Sequence, residues 1–308
     1  MGEPAGERLE EVVAALEAVL GPLSEEPTPL SGGITNHNFR ARFGDQDVVL
    51  RVAGRDTDLL GIDRDAERSA TAAAAGLGIA PPVVAYIREH GCLVTRFVPG
   101  SPVDAEELRE PACLAAVARA LRRFHDEGPD LPTTFDVPAI ARAYLATARG
   151  RGGTIPGGAR EAVAVADRIK AVLRGPEHEP VACHDDLLPA NFIRDGDAVW
   201  IVDWEYAGMG DRYFDLGNLS VNNGFEEADD ARLLDAYWGE PPTPRRLAAL
   251  RLMRAMSDVR EALWGVVQGA VSELDFDFAG YADDHLRRLR ATTADPRFED
   301  WLRDAATA

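Results

Sequence analysis

The sequence predicts an α+β protein of two lobes, a small β-rich N-terminal lobe and a larger, mainly helical C-terminal one. Three observations carry that prediction. Up to residue 98 most apolar residues outside two helical stretches fall in short alternating runs separated by turn residues, whereas from Pro111 onward they recur mainly at helical spacing. Between the two lies Phe97-Val98-Pro99-Gly100-Ser101-Pro102, whose prolines and glycine stiffen and bend a connector. A chain of 308 residues is long enough to bury a core in each lobe. The expected divisions are 1–98, a hinge at 99–103, and 104–308.

In order along the chain, Glu7–Leu20 carries Leu9, Val12, Val13, Leu16, Val19 and Leu20 at helical spacing and stops at Gly21-Pro22. Leu30–Asn38, containing Ser31, Gly32, Gly33, Thr35 and Asn36, then leads into strands at Phe39–Phe43 and Asp47–Ala53. Such a glycine pair could lay backbone N–H groups against phosphates, but it matches neither G-x-G-x-x-G nor the Walker pattern, and on the residues alone an ordinary turn is the favoured reading. In the second strand Leu50 and Val52 share one face and Arg51 the other. A solvated face accounts for Arg51 blandly. A phosphate clamp accounts for it too, given an acidic partner such as Glu67 on the next helix, Asp63–Leu77. Val83–Ile87 and Cys92–Val98 form a hairpin. Helices follow at Leu114–His125, Pro138–Ala148 and Ala159–Leu173, and after residue 205 at Asp215–Asn223, Asp229–Trp238, Pro244–Val271, Phe278–Arg290 and Phe298–Ala305.

A net charge of −19 opposes polyanionic partners such as nucleic acid or an anionic membrane, and favours cationic small molecules. The three cysteines, Cys92, Cys113 and Cys183, lack the spacing of a zinc site or a disulfide framework. An acidic N-terminus and the lack of an apolar run of spanning length point away from secretion and membrane insertion, so the cytoplasm is the expected location.

The chemistry concentrates in Val181–Glu205. Two short apolar runs, Asn191–Arg194 and Ala198–Val202, flank Asp195-Gly196-Asp197, and Asp-Gly writes a tight β-turn. A hairpin brings the residue entering its first strand beside the residue leaving its second, so Asn191 and Asp203 meet although twelve positions apart. Asp186 stands on the incoming loop. Two carboxylates and an amide at one hairpin end form a hard-oxygen site suited to Mg²⁺, with one acid left over as a base. Asp186 is therefore the expected base of a phosphoryl transfer, Asn191 and Asp203 the expected metal ligands on nucleotide phosphates, and His184 the orienting residue grouped with Asp186. An acidic surface loop would not explain Pro189 or the apolar Phe192 and Ile193. Asp185, a second carboxylate beside the base, should raise a carboxyl pKa unless it faces solvent or metal.

H-x-D-x-x-x-x-N followed by Ile201-Val202-Asp203-Trp204-Glu205 resembles the catalytic loop and metal-binding aspartate of the aminoglycoside phosphotransferase and choline kinase superfamily. The resemblance covers most of the chain and implies a two-lobed protein-kinase-like fold, ATP and Mg²⁺ as cofactors, residues 30–38 as the phosphate loop, and Arg51 with Glu67 as its ion pair. Arg51 departs from the lysine usual in protein kinases and matches choline kinases. The resemblance also implies that Asp215 braces the catalytic loop.

The acceptor is written more faintly. Glu261, Trp264 and Gln268 share a helix face, and Phe276 and Tyr281 follow among Asp275 and Asp277. A quaternary ammonium has no N–H to donate and is held by aromatic faces and nearby carboxylates, although ordinary core packing explains the same spacing. The run is similar to the choline-pocket segment of choline and ethanolamine kinases, which implies substrate contacts for Trp264, Phe276 and Tyr281. Glu261 stands where the eukaryotic choline kinases place a tryptophan, a change that favours a primary amine or a bulkier cation. The expectation is a kinase for a small cationic alcohol, choline first, with ethanolamine, thiamine or an aminoglycoside, or a non-catalytic kinase-fold binding protein, as alternatives.

Overall fold

The computed structural model describes residues 5–30, 36–54, 57–196 and 198–307, with residues 5–7 as backbone only. The N-terminal region comprises α1 (Ala5–Leu20), β1 (Leu23–Pro29), β2 (Asn36–Phe43), β3 (Gln46–Ala53), α2 (Arg64–Gly76), β4 (Val83–Ile87) and β5 (Cys92–Arg96). Its five strands form one antiparallel sheet in the order β1-β2-β3-β5-β4. Val48, Leu50 and Val52 of β3 are buried while Arg51 is directed to the other face, as strand alternation requires. They pack with Phe43, Cys92 and Val94 against Val12 and Leu16 of α1, a small core of its own.

β1 is a strand that the sequence does not announce. Leu23–Pro29 reads LSEEPTP, with no apolar alternation, and its pairing to β2 shifts register twice. An edge strand can hold Pro27 and Pro29 because only one of its sides needs to donate to the ladder. β2 also begins earlier than the apolar pattern implies, at Asn36.

From β6 (Ser101–Pro102) the chain turns largely helical: α3 (Ala105–Arg109), α4 (Pro111–Glu127), α5 (Val137–Gly150), α6 (Ala159–Val172), then β7 (Val181–Cys183), β8 (Phe192–Asp195), β9 (Ala198–Ile201), β10 (Gly208–Gly210), α7 (Arg212–Asn222), α8 (Glu227–Trp238), α9 (Pro244–Val271), α10 (Phe278–Ala294) and α11 (Phe298–Ala306). The short α3 is absent from the sequence reading because its five residues are too few for a periodicity. Its start is secured by a capping box between Asp104 and Glu107. α9 is the axis of this region, with α5, α6, α7, α10 and α11 packed around it. Every residue from Ala255 to Gln268 is buried, so this helix has no polar face over that stretch.

Two close approaches tie the functional stretch to its surroundings. β6 pairs with β8, extending the β8–β9 hairpin to three strands. A Cβ on Gly100, just before β6, would lie 2.2 Å from the Arg194 carbonyl oxygen, so only glycine lets the connector cross the hairpin there. A Cβ on Gly217 of α7 would lie 2.6 Å from the Met253 carbonyl carbon, which sets how closely α7 meets α9. Among the described residues no helix is long and apolar enough to cross a membrane.

Candidate active site

The loop between β7 and β8 rests on Asp215, fully buried on α7. Its carboxylate accepts the His184 N–H at 2.9 Å, the Asp185 N–H at 2.7 Å, and a hydrogen bond with His125 Nε2 at 2.9 Å; His125 Nδ1 is in turn 2.7 Å from Tyr237 Oη. Burial pushes the Asp215 pKa up, but the His125 hydrogen bond and the charge and amide contacts of the two histidines outweigh it and hold the carboxylate below its ordinary range. This is the bracing role implied by resemblance, expressed as three donors on one carboxylate.

His184 is directed inward. Its Nδ1 accepts the Asp186 N–H at 3.2 Å and its Nε2 lies 2.9 Å from the Val202 carbonyl, which assigns the proton to Nε2. Burial lowers its pKa, keeping the ring neutral. His184 thus ties the Asp186 backbone to the far side of the hairpin, and both of its ring nitrogens are engaged.

The hairpin brings Asn191 and Asp203 to its open end, where the Val202 N–H donates to the Asn191 carbonyl at 2.9 Å. Gly196 takes the left-handed conformation that the turn requires; Asp197 lies outside the described residues. Asn191 Nδ2 donates to the Asp186 carbonyl at 2.8 Å, which leaves the amide oxygen as its available donor atom. Asp203 contributes a second hard oxygen, and its φ of 67° is left-handed for a non-glycine residue. Asp185 shares that conformation. Strain of this kind persists where the surroundings demand a particular aim for a side chain. The donor set fits Mg²⁺, which prefers carboxylate and amide oxygens.

On the side of the N-terminal sheet Arg51 makes an ion pair with Glu67 at 2.9 Å and contacts Asp203 and, at 3.4 Å, Glu205. Burial disfavours the Arg51 charge, but Asp203, Glu67 and Glu205 outweigh it and raise its pKa. A second arginine, Arg64, reaches Glu67 at 2.7 Å and Asn36 Oδ1 at 3.0 Å. Asn36 Nδ2 donates to Glu205 Oε2 at 2.8 Å, so the side chain expected at the phosphates is engaged with this network of acids and arginines. Ser31, Gly32, Gly33 and Thr35 lie outside the described residues.

On the other side of Asp186 the structure places a residue that the sequence reading missed. Arg260, buried on α9, directs Nη1 to Asp186 Oδ1 at 3.2 Å and to Glu261 Oε1 at 2.8 Å. Burial drives the Asp186 carboxyl well above its usual range while Arg260 pulls it back. Asp185, also buried, is raised by burial and by Asp215 and does not face solvent. Glu261 is likewise no open carboxylate, because its second oxygen accepts the Tyr281 hydroxyl at 2.7 Å. Trp264 donates Nε1 to Tyr206 Oη at 2.9 Å and meets the Tyr281 ring at 5.5 Å between centroids. Phe276, 43% exposed, stands at the rim, 6.0 Å from Tyr281.

Asp186 thus stands between the Asn191–Asp203 pair and a wall formed by Glu261, Trp264 and Tyr281. The sequence profile of the phosphotransferase enzyme family matches residues 26–250. The chain belongs to that family. This phosphotransferase is 26% identical over 292 residues to the protein LicA of Haemophilus influenzae, covering 89% of the chain and 82% of LicA. It is 27% identical over 298 residues to mouse ethanolamine kinase 1, covering 81% and 79%. A crystal structure of a choline/ethanolamine kinase family protein from Mesorhizobium loti superposes with a TM-score of 0.83 at 32% identity, covering 98% of this chain and all of that one. The phosphotransferase is thus an enzyme of the choline/ethanolamine kinase type, with an alcohol group as acceptor.

Proposed function

We propose that this enzyme transfers the γ-phosphate of ATP to the hydroxyl of a small cationic amino alcohol, with choline as the principal acceptor. The observation that carries this reading is the position of Asp186. Its backbone is tied to Asn191 and its carboxylate to Arg260, so one residue joins the hairpin mouth to the wall formed by Glu261, Trp264 and Tyr281. Residues 1–98 serve as the nucleotide lobe, 99–103 as the hinge and 104–308 as the lobe holding the loop and the acceptor pocket. Free, buried Cys92, Cys113 and Cys183 suit a reducing cytoplasm.

Asp186 Oδ1 is held by Arg260, which leaves Oδ2 to accept a hydrogen bond from the acceptor hydroxyl. The hydroxyl oxygen forms its bond to the γ-phosphorus as the bond to the β,γ-bridging oxygen breaks; the hydroxyl proton passes to Asp186 and ADP departs. Because this transition state is loose, the alignment of the hydroxyl matters as much as the basicity of Asp186. Asn191 and Asp203 would hold Mg²⁺, whose charge offsets that building up on the phosphate oxygens. Arg51, kept in place by Glu67, supplies a positive charge from the opposite side.

Ethanolamine is the second acceptor to test, given the likeness to ethanolamine kinase 1. The deciding experiment is ADP release with choline, ethanolamine, thiamine and an aminoglycoside under saturating Mg-ATP. Turnover is expected to be fastest with choline. ATP binding without turnover on any of the four would instead support a binding protein.

A further inference from the structure

Arg260 and Glu261 occupy adjacent positions on α9 at 2% and 1% exposure, between the base and the aromatic wall. Glu261 Oε1 accepts from Arg260 and Oε2 from Tyr281, so each carboxylate oxygen already has a donor and the charge has a guanidinium in contact. Arg260 is itself confined. Its guanidinium carbon lies 4.2 Å from the centroid of the Tyr206 ring, and Tyr206 is fixed by the Trp264 indole N–H. Moving Arg260 away would leave Asp186 and Glu261 as two buried carboxylates without a counter-charge, which strongly disfavours the move.

The two candidate head groups make opposite demands on such a wall. A primary ammonium brings N–H donors that, once out of water, require acceptor oxygens carrying spare negative charge. A quaternary ammonium brings none and is attracted by aromatic faces. The other acids nearby do not make up the difference. Asp275 is exposed, and Asp277, also exposed, caps α10 by accepting the Gly280 N–H at 2.8 Å. A primary ammonium seated at Glu261 would also stand beside the Arg260 guanidinium, placing two cations on one carboxylate.

The geometry points to Arg260 as the specificity-determining residue of the acceptor site: by neutralising Glu261 it leaves a wall of aromatic surface that selects quaternary over primary ammonium alcohols. The same guanidinium positions Asp186, so one side chain sets both the aim of the base and the class of head group. This rests on the reading of the protein as a kinase of cationic alcohols.

The test compares kcat/KM for choline and ethanolamine in the wild type, Arg260→Met, Arg260→Lys and Glu261→Gln, with equilibrium binding of tetramethylammonium and methylammonium as head-group probes. The wild type should prefer choline by about tenfold or more, the scale set by desolvated cation–π contacts. Arg260→Met slows both acceptors through Asp186, and by freeing Glu261 it should also move the choline-to-ethanolamine ratio about tenfold towards ethanolamine. Arg260→Lys, which keeps the charge, should restore most of the wild-type ratio and so shows that loss of folding is not the cause. Glu261→Gln should slow both acceptors alike. A Glu261→Gln enzyme that loses ethanolamine selectively, or an Arg260→Met enzyme with an unmoved ratio, overturns the inference while leaving the kinase reading intact. A wild type that binds neither probe and turns over neither alcohol overturns both.

Discussion

The two sides of the site are built on the same device and differ in where it is mounted. On the side proposed for the nucleotide Arg51 projects from a strand and gathers Glu67, Asp203 and Glu205, with Arg64 beside it. On the side proposed for the acceptor Arg260 projects from a helix and gathers Asp186 and Glu261. β3 is the central strand of the N-terminal sheet, and Arg51 projects from its less buried face with 12% of its side chain exposed. Around Arg260 the helix is buried on every side, so this guanidinium is enclosed by side chains from several elements and acts on what they present. A cation on a sheet face can serve as a ligand, whereas a cation inside a helical core sets the charge and aim of its neighbours.

The comparison is broken most severely at the residue the two sides share. Asp186→Asn should lower kcat by about 10² to 10⁴, the usual worth of a positioned general base, with the KM for ATP nearly unchanged. A large rise in that KM would show that Asp186 belongs to the nucleotide side.

Asp215 tests the floor beneath both. Asp215→Ala leaves two backbone N–H groups and a histidine without their acceptor, and should cost about 3 to 5 kcal/mol in urea unfolding. Because the folded pKa of Asp215 is depressed, its stabilisation is complete above the unfolded value near 3.9 and is lost as pH falls through the lower folded value. The difference in stability between wild type and Asp215→Ala should therefore shrink at acid pH. A difference that persists unchanged at low pH would contradict the account of Asp215 as an ionised acceptor.

These two arginines also show how much of the site could be read from the chain alone. Arg51 was legible because it interrupts an alternating strand, and Glu67 follows at the start of the next helix. Asp186, Asn191 and Asp203 were legible because a spaced motif runs into a hairpin whose turn residues fix the register. Arg260 was hidden because α9 has no polar face against which a buried charge would stand out, and Glu261 beside it drew attention as a substrate ligand instead. Tyr206, just past the motif, gave no signal that it would hold both Arg260 and Trp264. In the fold, every helix of three or more turns was anticipated within a few residues of its ends. The edge strand β1, the five-residue α3 and the two-stranded pair of β7 and β10 were not, since none is long or apolar enough to show a period.

The smaller effects separate the two sides. Arg51→Met should raise the KM for ATP by about tenfold, in line with the loss of a charge-assisted contact, and change the KM for choline little. Trp264→Ala should do the reverse. Both KM values of the Trp264→Ala enzyme therefore test the central claim most directly, that one wall of this site exists to hold the acceptor. The KM for choline should rise about tenfold while that for ATP stays within about twofold, as expected when a cation loses an aromatic face. Equal changes in the two would mean that Trp264 is part of the core and that the acceptor binds elsewhere.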